Sequence, residues 1–180
     1  MKKIFIILTI AFATLAVSCQ KYPVENTATV DLAGQWYLQY DAVDESGAVV
    51  FEDFNEGYSL GLTFNTSANT TDYIFVSDID NLLGFQAKVP CNIANLTFGS
   101  DAEVDNVYAD SWAIDAGYIS DKVIVKNGKI TRGTGKTPSG MPADEISFEV
   151  ILSDDLLANA YGYHHYKAYG YRYTGFAADE

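Results

Sequence analysis

The sequence predicts an all-β domain of antiparallel strands, each with one dry face. Three observations carry this. Apolar and polar residues alternate with a period of two along several segments. The chain holds 13 Tyr and 10 Phe, residues that suit a pleated, half-buried surface. No long stretch repeats its apolar residues at helical spacing. One-sided strands belong to antiparallel sheet packed on a single face, so eight or nine of them make either a closed barrel or a two-sheet sandwich.

Trp36, Leu38 and Tyr40 share the dry face of the first strand, with Gln39 and Asp41 opposite. Leu60, Leu62 and Phe64 alternate with Gly61 and Thr63 and read as the inward face of a second strand. Residues 66–70 turn the chain. Leu83, Phe85, Ala87 and Val89 alternate with Gly84, Gln86 and Lys88. Residues 101–112 are assigned a turn or two of helix. Asn127-Gly128, between Lys122–Lys126 and Lys129–Thr131, supplies the positive φ angles of a two-residue hairpin turn. The Gly- and Pro-rich stretch 133–143 reads as a long loop. Ile146, Phe148, Val150 and Leu152 line one face of a late strand. In the last strand Tyr169, Tyr171 and Tyr173 oppose Ala168, Gly170, Arg172 and Thr174, and the small Ala168 and Gly170 leave room for a ligand or a neighbouring side chain.

The chain begins Met1-Lys2-Lys3, followed by an apolar run from Ile4 to Val17. This is the layout of a secretory signal, and the run is shorter than the roughly 20 residues that span a bilayer. It ends Leu15-Ala16-Val17-Ser18-Cys19, which resembles the lipobox of bacterial lipoproteins, although the large aliphatic residue stands one place early, at Leu15. The resemblance implies cleavage after Ser18 and acylation of the Cys19 thiol. The expected organisation is a signal peptide at 1–18, a lipidated tether at 19–31 that includes Pro23, and a barrel domain at 32–180. Gln20 is not the aspartate that marks inner-membrane retention in enteric bacteria, so the expected location is the cell envelope, preferably the outer membrane.

Composition narrows the partners. The formal charge is −13, and removing Lys2 and Lys3 makes it two units more negative. Phosphate backbones repel such a chain, which argues against nucleic acid. Anionic headgroups repel it too, so attachment relies on acyl chains. With Cys19 acylated, Cys91 has no intrachain partner, and neither a disulfide framework nor a cysteine zinc site can be assembled.

Gly34-Gln35-Trp36 on the first strand and Arg172 on the last resemble the calycin pattern of lipocalin-like barrels, in which an arginine packs across the tryptophan and seals one end. A guanidinium over an indole face is a favourable cation–π contact. A larger likeness runs along most of the mature chain. It is carried by Tyr22-Pro23-Val24-Glu25-Asn26-Thr27-Ala28, Gly34-Gln35-Trp36-Tyr37, Phe85-Gln86-Ala87-Lys88-Val89, Ser139-Gly140-Met141-Pro142-Ala143-Asp144-Glu145-Ile146 and Gly170-Tyr171-Arg172-Tyr173-Thr174-Gly175-Phe176. Together these resemble a family of lipoproteins from gut-type Bacteroidetes, the lipid-binding putative hydrolases. The resemblance implies an antiparallel calycin-like β-barrel of about eight strands and a small apolar ligand. It brings no catalytic residues with it. Thr71-Asp72-Tyr73 matches a second lipocalin motif but follows Trp36 too closely, so the chain is not a lipocalin proper.

The expected interior, and hence ligand lining, is Trp36, Tyr40, Phe64, Phe85, Phe98, Phe148 and Val150, with Trp36 and Arg172 closing the barrel. Other constellations fail on spacing. Gly133-Thr134-Gly135-Lys136-Thr137 lacks the first glycine of a phosphate loop and is followed by Pro138. Ser139 lacks the preceding glycine of a nucleophile elbow. Asp78 and Asp80 begin like a calcium loop that Leu82 then breaks. His164 and His165, adjacent on a strand, are expected on opposite faces, unable to share a metal or nucleophile. No metal or cofactor is expected. The leading function is a membrane-anchored binder of a small apolar, lipid-like ligand. The alternatives are a ligand-free subunit of an envelope complex, docking through exposed tyrosines, and a hydrolase.

Overall fold

In this computed structural model the described residues are 26–78, 82–107 and 119–179. Ten strands form in order: β1 (Gly34–Val43), β2 (Val49–Phe51), β3 (Ser59–Asn65), β4 (Tyr73–Asp78), β5 (Gln86–Asn92), β6 (Thr97–Phe98), β7 (Val104–Asp105), β8 (Lys122–Lys136), β9 (Pro142–Leu152) and β10 (His165–Arg172). A short helix α1 (Leu156–Tyr161) lies between β9 and β10. Eight strands close a ring, β1-β3-β4-β5-β6-β8-β9-β10, because β1 pairs antiparallel with both β3 and β10. Strands β2 and β7 attach beside the ring, on β1 and β8. The fold is thus the expected antiparallel barrel, and a closed ring leaves no unpaired edge within it.

Alternation places the core. Leu38, Tyr40 and Ala42 on β1, Ile74 and Val76 on β4, Ala87 and Val89 on β5, and Ile146, Phe148 and Val150 on β9 are all buried in one cluster. All eight ring strands and this cluster fall between Leu32 and Arg172. The stretch from Gln20 onward therefore carries what the barrel needs to fold. Residues 28–32, across the expected end of the tether at 31, make a turn whose Thr29 and Leu32 are fully buried.

Four local expectations are corrected. Asn127-Gly128 is not a hairpin turn. It is a β-bulge in one continuous strand, since Lys126 pairs with Glu149 and Lys129 with Ser147, both on β9. Asn127 takes the positive φ of 54°, and Gly128 serves close packing: a Cβ there would lie 2.3 Å from the Phe98 ring. The loop expected over 133–143 shrinks to 137–141, because β8 runs to Lys136 and β9 starts at Pro142.

The face of β3 is inverted. Ser59, Gly61 and Thr63 point inward, and Phe64 lies outside, stacked on Phe75 at 5.2 Å. The bulk of its neighbours sets this parity. A Cβ on Gly61 would meet Leu38 Cδ1 at 2.3 Å, and Trp36 Nε1 donates to Thr63 Oγ1 at 2.9 Å. Finally, in place of helix from 101, the chain forms β7, while 108–112 lie outside the described residues.

Candidate ligand site at the mouth of the barrel

The two ends of the barrel differ. At one end Arg172 Cζ lies 4.5 Å from the centre of the Trp36 ring, across a register that pairs the two residues directly. The guanidinium is fixed from both sides: Nη1 donates to the Ala33 carbonyl at 2.9 Å and Nε to Asp144 Oδ2 at 3.1 Å. Thr63 Oγ1, which accepts from the indole, donates to the Leu32 carbonyl at 2.5 Å. Turn, tryptophan and arginine are thus tied together at this end. The carboxylate of Asp179 then fastens the C-terminal turn nearby, accepting from Thr174 Oγ1 at 2.6 Å and Ser139 N at 3.3 Å. The hydroxyl hydrogen bonds of Ser139, Thr174 and Thr137 hold its pKa down at about 2.

Of the expected lining, Trp36, Tyr40, Phe85, Phe98, Phe148 and Val150 are buried and packed on one another in the central cluster, while Phe64 is outside it. Cys19 lies outside the described residues. The small Ala168 and Gly170 make room for backbone: a Cβ on Gly170 would fall 1.8 Å from the Tyr37 carbonyl oxygen. Tyr169, Tyr171 and Tyr173 share the outer face. Tyr171 and Tyr173 there join Tyr37 and Tyr58 in a ring cluster, with Tyr37 5.6 and 5.1 Å from Tyr171 and Tyr173.

The open end lies six residues farther along β1, roughly 20 Å at about 3.3 Å per residue, where Ala42 pairs with Tyr166. A cleft of about 490 Å³ is lined there by Phe54, Leu83, Ile119, Leu152, Leu157 and Tyr166, among others. Leu83 and Tyr166 belong to the central cluster, so core side chains form part of the wall of the cleft. Above it Leu156 and Leu157 are 72% and 50% exposed, an apolar rim that the folded chain leaves in water. A second cleft of about 330 Å³ shares Phe54 and Leu157 and is walled by Phe51, Tyr161 and Tyr163.

Asp155 builds this mouth. Its Oδ1 caps α1 by accepting from Leu157 N and Ala158 N at 2.9 and 3.0 Å. Its Oδ2 accepts from Tyr166 OH at 2.7 Å. Tyr166 has then spent its proton, so the 2.7 Å contact with Tyr163 has Tyr163 as donor. Burial, first of all, raises the pKa of both phenols above the ordinary tyrosine value, so both stay neutral. Asp78, fully buried, closes the β4–β5 connection by accepting from Leu83 N at 2.6 Å; Asp80 lies outside the described residues. The helix was readable in the sequence as an Asp155 cap, an apolar turn and Gly162 in the left-handed region at φ 77°.

The histidines correct an expectation. His164 precedes β10, so strand alternation does not separate the pair, and their Nδ1 atoms lie 3.1 Å apart. Nε2 of His165 lies 3.6 Å from Glu149 Oε2. One ring nitrogen donates to the other across the 3.1 Å contact. Burial lowers the pKa of His165.

A closed antiparallel barrel of eight strands, with an arginine laid over a tryptophan near one end, is a calycin-like barrel. The chain belongs to the lipid-binding putative hydrolase family, whose model matches residues 21–177. No curated protein matches it. Family and fold fit a lipid-binding role.

Proposed function

We propose that this protein is a lipoprotein, anchored by acylated Cys19 in the cell envelope and preferably in the outer membrane, that holds a small lipid-like ligand at the mouth of its barrel. The observation that carries this reading is the cleft of about 490 Å³, walled in part by the core residues Leu83 and Tyr166, whose rim leucines stand in water. A ligand chain laid there removes apolar surface on both partners, at about 0.8 kcal/mol per methylene. The layer of Tyr40, Phe148 and Val150 below is the packed base on which the ligand rests.

Native mass spectrometry of the lipoprotein extracted from membranes tests both parts. The mass of the chain beginning at Cys19 is expected to include acyl groups, and a small molecule is expected to be retained and released on activation. Leu157→Asp places a charge on an exposed part of the rim and is expected to abolish retention without unfolding the barrel. An unmodified Cys19 would overturn the anchor. Equal retention in the variant would overturn the site.

A further inference from the structure

We propose that the second cleft binds an alkylated ammonium group, which makes the ligand a cationic amphiphile; this rests on the lipid-binding reading above. The rings of the cleft do not stack. Phe51 meets Tyr161 at 6.1 Å with an interplanar angle of 85° and Tyr163 at 6.2 Å with 89°. Phe54 meets Tyr163 at 5.9 Å and 63°. Together these four rings line a cleft of about 330 Å³. The faces of aromatic rings carry negative potential and attract a cation within about 6 Å, most strongly one whose methyl groups hold water weakly.

Charge points the same way. The charged residues that line this cleft are Glu52, Asp53 and Glu56, and those that line the neighbouring one are Asp121, Asp154 and Asp155. No Lys, Arg or His lines either cleft among the described residues, and the sequence of 79–81 and 108–118 contains none. Asp53 accepts from Gln39 Nε2 at 3.1 Å and Gly57 N at 2.9 Å, both neutral donors. Glu52 and Glu56 have no ion-pair partner among the described residues. A carboxylate or phosphate head would meet acids of its own sign. A neutral head would gain nothing from them. An ammonium gains from rings and acids together, while its alkyl chain passes over Phe54 and Leu157 into the larger cleft that shares them.

The test uses isothermal titration of the domain from Gln20 with three amphiphiles of equal chain length: octyltrimethylammonium, octanol and octanoate. The ammonium is expected to bind about five- to thirtyfold more tightly than octanol, the range set by one to a few cation–π contacts, and octanoate more weakly than either. Phe51→Leu and Tyr161→Leu keep apolar bulk at positions 41% and 62% exposed, so the barrel is expected to stay folded and the preference for ammonium to disappear. Octanol binding as tightly as the ammonium would overturn the proposal and leave the lipid-binding reading standing. So would a preference that survives both leucine variants, which would trace it to the net acidity of the chain. Failure of all three amphiphiles would remove the lipid-binding reading. Tetramethylammonium alone, followed through the ring resonances of Tyr161 and Tyr163, then still decides on the cleft: shifts that vanish in the variants support it, and none would overturn it.

Discussion

Arg172 holds the sealed end through three different contacts, to the Trp36 ring, the Ala33 carbonyl and the Asp144 carboxylate. Exchanging it for methionine keeps apolar cover over Trp36 but removes the cation, the donor to the Ala33 carbonyl and the partner of Asp144. A cation–π contact contributes about 0.5–2 kcal/mol, and a hydrogen bond from a charged donor about 1.5–3 kcal/mol, less where water reaches it. Arg172→Met is therefore expected to cost on the order of 2–3 kcal/mol in urea unfolding followed by circular dichroism. Arg172→Lys is expected to recover only part, because an ammonium cannot reach carbonyl, carboxylate and ring face at once. This pair was legible through the resemblance of Gly34-Gln35-Trp36 and Arg172 to the calycin pattern. The aromatic cleft was not. Phe51, Phe54, Tyr161 and Tyr163 come from a short side strand, a loop and the surroundings of a helix, and share no periodicity that would mark a common wall.

At the scale of elements, close backbone approach sets what the strands tolerate. Gly170 faces the Tyr37 carbonyl so closely that a methyl group cannot fit without parting β1 from β10. Gly170→Ala is expected to destabilise by about 3 kcal/mol or more, at the upper end for overpacking, and to lower the thermal midpoint accordingly. Alternation was readable on β1, β5 and β9, where each strand's own apolar residues decide its parity. It failed on β3 because there the partner decides. Trp36 and Leu38 occupy the interior opposite, and only Gly61 and Thr63 leave them space. The Asn127-Gly128 pair is ambiguous for a related reason. The positive φ it favours serves a hairpin or a bulge equally, and the choice rests on whether the following residues return along the same strand or continue beside β9, a long-range matter.

For the whole molecule, strong acid is expected to loosen the sealed end. The pKa of Asp179 lies at about 2, below the ordinary 3.8. A group depressed in the folded state contributes stability above its unfolded pKa and loses that contribution as pH falls through the folded one. The stability difference between the protein and Asp179→Asn is therefore expected to be constant above about pH 4 and to shrink between about pH 4 and 2. Urea midpoints measured for both across that window check it, and a difference unchanged with pH would count against the latch.

The chain joins the barrel beside Trp36, and the mouth opens at the far ends of the same strands. In the proposed lipoprotein the attachment to the bilayer enters at the pole that carries Trp36, and the cleft lies toward the other pole. Cargo would then arrive from, and leave toward, the aqueous space or an opposing surface and not the lipid that carries the anchor.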